Sequence, residues 1–326
     1  SLGSDHPMVA LSSALAGMMG DDLDRADAAA PALAEHPDPW VRAIGRIIAS
    51  VVEIFRGDAE AAEAGFADAL AQTHAIGDRW AQATLYGAVG EMRAMRGDGV
   101  GALEAFRSGA RMAEELGVPE VAAGAVLTLV LHEERTGDVV SARRHLARAR
   151  EYAGRGVSAQ LSVALTGAEA EIEYRSGRLQ AARTLFRSAL EIAVPATARG
   201  IAREITGTLL HGLAHTEIAL GDLDAAKTYA ADIHALSEGP VPVGRIGMAL
   251  CASIVMSVAV AEGDAVRAAR VAGMGTAIRG TVDTGTPEVR VAVAAARSAL
   301  GSEAFEKAYA EGAVLGYDDA VAELLH

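Results

Sequence analysis

A Gly-Asp pair recurs along the chain at nearly constant spacing, and this feature constrains the fold more than any other. The intervals between successive turn glycines are 40, 40, 40, 44 and 42 residues. Glycine readily takes the left-handed backbone that ends a helix, and a following aspartate can cap the next helix, so each pair predicts a tight turn between two helices. The pairs are Gly57-Asp58, Gly97-Asp98, Gly137-Asp138, Gly221-Asp222 and Gly263-Asp264, with Gly177-Arg178 in the one gap and a weaker copy at Gly20-Asp21-Asp22.

Small and large apolar residues stand at fixed offsets from each turn glycine. An alanine follows after five residues; in the first four copies a large apolar residue follows after nine and a small one after twelve. Small residues let two helices approach closely, and the large one fills the groove between hairpins. No stretch alternates with the period of a strand, so we predict an all-α fold of stacked helical hairpins. The residues at these three offsets are Ala62, Ala102, Ala142, Ala182, Ala226 and Ala268; Phe66, Phe106, Leu146 and Phe186; Ala69, Gly109, Ala149 and Ala189.

Two tryptophans, Trp40 and Trp80, lie 40 residues apart at equivalent repeat positions. Each tryptophan lies two residues after an aspartate, Asp38 or Asp78, and this aspartate can cap the helix in which the tryptophan lies. Equivalent positions favour packing at helix starts, and stacking against a ligand is the alternative.

Composition excludes several classes of protein. Over 326 residues the formal charge is −14, which argues against a surface that binds nucleic acid directly, and 51% apolar residues suffice for a large core. The longest uncharged run, between Arg245 and Glu262, holds sixteen residues; a membrane span needs about 20. A single cysteine, Cys251, which we expect to be a buried thiol, fits the reducing cytoplasm, the predicted location. Residues 1–8 read as a tag or disordered start.

The offsets resemble the tetratricopeptide repeat (TPR), and the repeat length near 40 residues resembles the longer repeats of MalT-like sensor regions, over roughly residues 40–280. The resemblance implies a right-handed α-solenoid of about seven antiparallel hairpins. We expect it to span residues 9–285, with capping helices over residues 286–326.

The C-terminal segment is similar to the closing segment of large actinobacterial ATP-binding transcriptional regulators of the LuxR and SARP type. In that family a separate switch domain binds ATP, so the resemblance implies no cofactor in this chain; neither a phosphate-binding loop nor a basic helix-turn-helix is found in the sequence. The residues that carry it are Ala268–Gly273, Arg290-Val291, Ala299–Phe305, Ala310–Gly312 and Asp318–Val321.

In the resembled TPR fold the first helix of each hairpin lines a concave face, and this implies the candidate binding residues. Three acidic members would favour a cationic or polyhydroxylated ligand or an arginine-bearing peptide; a solvated face without a ligand is the alternative. The predicted binding face comprises Glu91, Leu127, Leu131, Glu134, Glu171, Tyr174, Thr208, His211 and His215.

Other motifs give weaker indications. His211 and His215 stand four residues apart and could share a metal ion, but Gly212 replaces the glutamate of metalloprotease helices and no third ligand is evident. Met18-Met19, Met92 and Met95 read as core residues. The 239–243 loop marks either a break in superhelical pitch or a tolerated insertion, and the glycine-rich stretch Gly273–Gly285 reads as a slack connection. No spacing indicates a nucleophile held by a base.

We therefore predict a non-catalytic sensor domain of a transcriptional regulator. Its partner would be a small molecule, a peptide or a protein domain bound in the concave groove, with no direct contact to nucleic acid or membrane. A homodimer is left open. The alternative is a free-standing TPR scaffold for protein–protein interactions.

Overall fold

Every repeat that the structure describes consists of two helices joined at the turn glycine. The computed structural model describes residues 9–14, 23–56, 58–154, 158–193, 200–237 and 243–324; these contain seventeen helices and no strand, so the predicted all-α fold is confirmed. A helix α1 covers residues 9–14. The others are α2 (Leu23–Ala34), α3 (Pro39–Arg56), α4 (Ala59–Ile76), α5 (Arg79–Met95), α6 (Gly99–Leu116), α7 (Pro119–Arg135), α8 (Val139–Ala153), α9 (Ala159–Arg175), α10 (Leu179–Ala193), α11 (Gly200–Leu220), α12 (Leu223–Ser237), α13 (Val243–Ala261), α14 (Ala265–Arg279), α15 (Pro287–Leu300), α16 (Ser302–Ala313) and α17 (Tyr317–Leu324).

The predicted turns are present with the expected backbone. Gly97, Gly137 and Gly177 have φ angles of +81°, +88° and +73°, the left-handed region that glycine adopts without strain. Asp98 accepts a hydrogen bond of 2.9 Å from the backbone N–H of Gly101 and so caps the following helix. Asp264 caps α14 in the same way.

The residues at the fixed offsets form the core between helices. The alanine five residues after each turn glycine is fully buried in all six copies, and the phenylalanines nine residues after are at most 2% exposed. Gly90 shows why small residues occur opposite them, because a Cβ there would overlap the ring of Phe106. The repeat thus encodes close helix packing, as predicted.

The helices group into two compact units. Unit 1 comprises Ser1–Glu133, Val140–Val157 and Pro240–Pro242, and unit 2 comprises Glu134–Val139, Ser158–Gly239 and Val243–His326. In unit 1, helices α2 to α6 each pack on the next in the chain, and α9 to α14 do so in unit 2. Packing between chain neighbours is the pattern of an α-solenoid repeat. The handedness and the predicted domain limits stay predictions.

The three last helices pack differently from the repeats. All three contact α14, and α15 and α17 also contact α13. Gly273 and Gly312 permit the α14–α16 crossing, since a Cβ on either would overlap the backbone of the other helix, at Tyr309 or Arg270. The predicted slack connection over Gly273–Gly285 is therefore wrong up to Arg279, where α14 ends, because Gly273 serves close helix packing. The connection to α15 begins at Gly280.

The two tryptophans are less buried than packing at helix starts predicts. Trp40 is 41% exposed and Trp80 is 54% exposed. The indole N–H of Trp40 donates a 3.0 Å hydrogen bond to Asp78, the cap of the next hairpin. Val118 stands at the corresponding place one repeat further and offers no side-chain acceptor, which leaves the Trp80 indole more open.

The remaining sequence predictions have mixed outcomes. Met92 and Cys251 are buried, as expected, and the Cys251 thiol donates to the carbonyl of Ala230. Residues 1–8, Met18-Met19, the Gly20 copy of the turn, Gly57, the Met95 side chain and loop residues 239–242 lie outside what is described. Among the described helices none is both long enough and apolar enough to span a bilayer.

Candidate functional site

The predicted binding residues divide between the two units. Glu91, Leu127 and Leu131 belong to unit 1, where Leu127 is buried. The other six belong to unit 2. Of these, Thr208 is exposed, and its hydroxyl donates to the carbonyl of Glu204 on the same helix. The rest come together around one arginine. Their role as a binding face stays a prediction.

Arg175, at the end of α9, links carboxylates from two distant parts of unit 2. Its Nε donates to Glu134 at 3.1 Å, and its Nη1 pairs with Glu288 in the first turn of α15. Burial alone would raise the pKa of Glu288, but the hydrogen bond and charge of Arg175 outweigh it and lower this pKa to about 2. Arg175 thus already supplies the cation that the acidic residues were expected to attract from a ligand.

Glu171 lies one turn before Arg175 and beside Gly212 of α11. A Cβ on Gly212 would overlap a Glu171 carboxylate oxygen and the ring of Phe186. This close approach explains why a glycine, and not a larger residue, follows His211. Burial, followed by the charge of Glu134, raises the pKa of Glu171 well above its ordinary value. Tyr174 is affected likewise, since burial raises its pKa to about 12.

His211 and His215 meet the hydroxyl of Ser253 on α13. The Nε2 atoms lie 3.3 and 3.2 Å from Ser253 Oγ, and the ring centroids are 4.5 Å apart. Burial lowers the pKa of His211 to about 4 and that of His215 to about 3, so both rings are neutral at pH 7. A hydroxyl has one proton to donate, so at least one imidazole must donate its N–H to Ser253.

The histidine pair has no metal-binding partner set among the described residues. No group there brings together three His, Cys, Asp or Glu side chains at metal-ligand distances. Burial of the pair keeps both rings uncharged instead.

A cleft with a volume of about 560 Å³ is lined by Ser253 and by other residues of α13, α14, α15, α16 and the α14–α15 connection. This volume is within the range of small-molecule sites, which are mostly apolar with a few placed polar groups. Its polar groups include Ser253 and the hydroxyl pair of Thr276 and Tyr309, whose oxygens are 2.8 Å apart. Its apolar walls include Ala252, Met256, Val271, Val289, Val293 and Phe305.

Three arginines border this cavity, and two of them are neutralised. Arg279 pairs with Asp283 at 2.9 Å, and Arg297 pairs with Glu306 at 2.7 Å. Arg290 instead donates through Nη1 to two backbone carbonyls of the α14–α15 connection.

A smaller cavity of about 270 Å³ adjoins the charged cluster. Tyr174, Arg175, His215, Ser257 and Glu288 contribute to its lining. The hydrogen bond between His215 and Ser253 therefore connects groups that line two different cavities.

Sequence reasoning missed Ser253, Ser257, Arg175 and Glu288. The two serines could have been found, because the spacing that selects His211 and His215 before Gly221 selects Ser253 and Ser257 before Gly263. Arg175 follows Glu171 by four residues, the spacing of an ion pair on one helix face. Nothing local marks Glu288, because its partner lies more than a hundred residues away in the chain.

No protein-family model and no curated protein matches the sequence. Among solved structures, the chain is similar to a tetratricopeptide repeat protein from Parabacteroides merdae, with 14% identity, a TM-score of 0.49, and 99% of this chain and 98% of that one covered. BtubC from P. vanneervenii is 19% identical over 71% of this chain and 89% of its own, with a TM-score of 0.41. The class of protein is therefore defined by the helices described above alone: an all-α repeat of stacked helical hairpins.

Proposed function

We propose that this chain is a non-catalytic sensor module that binds a small molecule in unit 2. The observation that carries the proposal is the 560 Å³ cavity, whose walls are largely apolar and whose Ser253 hydroxyl contacts the buried histidine pair. A ligand there would contact α13 to α16 at once and so bias how these helices pack.

The histidine–serine contact supports binding rather than catalysis. A general base works best when its pKa lies near the operating pH, and burial holds the pKa values of His211 and His215 near 4 and 3. In addition, two rings share one hydroxyl, which differs from a nucleophile held by one oriented base. We therefore assign Ser253 a role in positioning and ligand contact.

Substitution of Gly275 offers a direct test of ligand binding, because Gly275 is a residue of α14 that lines the cavity. A Cβ there would lie 3.6 Å from the Ala252 methyl, an ordinary contact, so side-chain bulk can be added into the cavity. The experiment titrates a neutral fluorescent probe, N-phenylnaphthylamine, and screens a fragment library by thermal shift.

We expect Gly275→Leu to abolish binding and Gly275→Ala, the matched control, to retain it. Binding that is equal in all three proteins, or no binding of any compound to the wild type, would refute the proposal.

The finer part of the proposal is the regulatory context. The C-terminal segment is similar to the closing segment of ATP-binding LuxR- and SARP-type regulators. This similarity supports a role in transcriptional regulation, an actinobacterial source and a cytoplasmic location. A phosphate-binding loop encoded upstream in the same reading frame would support this context. A short gene that starts near Met8 would contradict it.

A scaffold for protein partners is the second candidate function. The half-exposed indoles of Trp40 and Trp80 in unit 1 favour it, because tryptophan is enriched at the centres of protein interfaces. Trp80 also borders a cavity of about 280 Å³ within unit 1. Comparing Trp80→Ser with the wild type in self-association measured by sedimentation tests the homodimer case: the variant should lower the association if this surface is used.

A further inference from the structure

We propose that the larger cavity of unit 2 selects a small amphipathic anion, with the apolar body inside the cavity and an acidic head group on Arg290. This inference rests on the proposed function and adds the chemical class of the ligand.

The charge balance around the cavity points to an anion. Its border carries three arginines but only two carboxylates, Asp283 and Glu306, and each carboxylate is already paired. In the described part of the chain no carboxylate pairs with Arg290. The edge of the cavity therefore carries one cation without a carboxylate partner, the exposed guanidinium of Arg290, in a protein whose formal net charge is −14.

Arg290 is also held in position for recognition. Its Nη1 donates to the carbonyl oxygens of Thr284 and Gly285, at 3.2 and 3.0 Å. A guanidinium has five N–H donors, so Nε and Nη2 remain available to a carboxylate or sulfonate, the planar-fork geometry that arginine offers to oxyanions. Fixing the side chain beforehand reduces the entropy lost when the ligand binds.

The apolar part of the ligand follows from the residues next to Arg290. Val289 and Val293, on the same helix, line the cavity together with Met256, Val271 and Phe305 from three other helices. Burying an apolar body there removes hydrocarbon surface from water on both sides of the contact. The site thus combines an apolar interior with a cation at its edge.

Two matched probes test the inference. Anilinonaphthalene sulfonate has an apolar body with an acidic group, and N-phenylnaphthylamine has the same aromatic body without it. Both are titrated by fluorescence into the wild type, Arg290→Gln, and Arg267→Gln. Arg267, on α14, is exposed, lies outside this cavity and serves as the control. Gly275→Leu locates the bound probe, and Val293→Trp replaces it if that variant does not fold.

We expect Arg290→Gln to weaken binding of the sulfonate by about fivefold at low salt, with a smaller effect at high salt as the charge is screened. Binding of the neutral probe and the behaviour of Arg267→Gln should not change.

The proposed function stands if both probes bind to the wild type and Gly275→Leu abolishes the binding of both. The anion proposal is wrong in that case if Arg290→Gln changes the binding of neither probe, or changes the binding of both by the same factor. If neither probe responds to cavity filling, the proposed function fails and the inference fails with it.

Discussion

At the scale of single residues, unit 2 buries several ionisable groups, including Glu134, His211, His215 and Glu288. Arg175 keeps Glu134 and Glu288 paired, whereas His211 and His215 stay neutral against Ser253. Removing one partner of a buried ion pair leaves a charge without compensation, which costs far more than the pair contributes. The Arg175–Glu288 pair therefore links α15 to α9.

Replacing Arg175 by alanine should lower the free energy of unfolding by about 3–5 kcal/mol, because two buried carboxylates lose their partner. Arg79→Ala is the matched control: Arg79 pairs with Glu115, but both side chains are about half exposed, at 49% and 55%, so its loss should cost about 1 kcal/mol or less. Urea unfolding followed by circular dichroism measures both. Equal losses in the two variants would contradict the role given to Arg175.

The histidine pair predicts a loss of stability in mild acid. Both folded-state pKa values, about 4 and about 3, lie below the ordinary 6.5, so below pH 6.5 the unfolded chain binds protons that the folded chain does not. The histidine pair should therefore lower the stability as the pH drops from 6.5 towards 4, whereas Glu171, whose folded-state pKa is raised by burial, opposes this loss. Glu288, whose folded pKa is about 2, contributes its loss only below pH 4.5.

His215→Gln isolates this effect, since glutamine can still hydrogen-bond Ser253 but does not titrate. Between pH 6 and pH 4.5, the free energy of unfolding should decline less steeply in the variant than in the wild type. The two slopes should differ by at most about 1.4 kcal/mol per pH unit, the effect of one proton. Unfolding curves at a series of pH values measure the difference. Parallel profiles would show that His215 is not buried in its neutral form.

At the scale of helices, the sequence predicted the hairpins but not the crossing of α14 with α16. The turn at Gly137 and the burial of Ala142 follow from local rules, because capping and close packing involve residues a few positions apart. The crossing of α14 and α16 depends on Gly273 meeting a helix 39 residues further on, at Gly312. No local pattern distinguishes such a glycine from one in a flexible connection.

The α14–α16 crossing gives a prediction with a control on the same helix. Gly273→Ala should destabilise the protein by about 1–3 kcal/mol, because its Cβ would overlap the backbone at Tyr309 and force the helices apart. Gly275→Ala has room for its Cβ and should be neutral or stabilising by up to about 1 kcal/mol through helix propensity. Thermal unfolding compares the two. A Gly273→Ala variant as stable as Gly275→Ala would disprove the crossing.

At the scale of the molecule, part of the candidate site could be predicted from the sequence. The repeat spacing brought Glu134, Glu171, Tyr174, His211 and His215 to attention, and all five lie in one region of unit 2. The charged cluster around them could not be foreseen, because Glu288, which pairs with Arg175, lies on α15, a C-terminal helix that follows no repeat. The larger cavity was missed for the same reason: its walls combine repeat helices with C-terminal helices that follow no repeat.

Ligand binding to the folded state should stabilise unit 2 by mass action, by about 2.7 kcal/mol when the free ligand is at a hundred times its Kd. Hydrogen–deuterium exchange with saturating anilinonaphthalene sulfonate tests the central claim most directly. We predict slower amide exchange over residues 243–300, and no such slowing in Gly275→Leu. Unchanged exchange there in the wild type, or protection confined to other helices, would contradict a ligand site in this cavity.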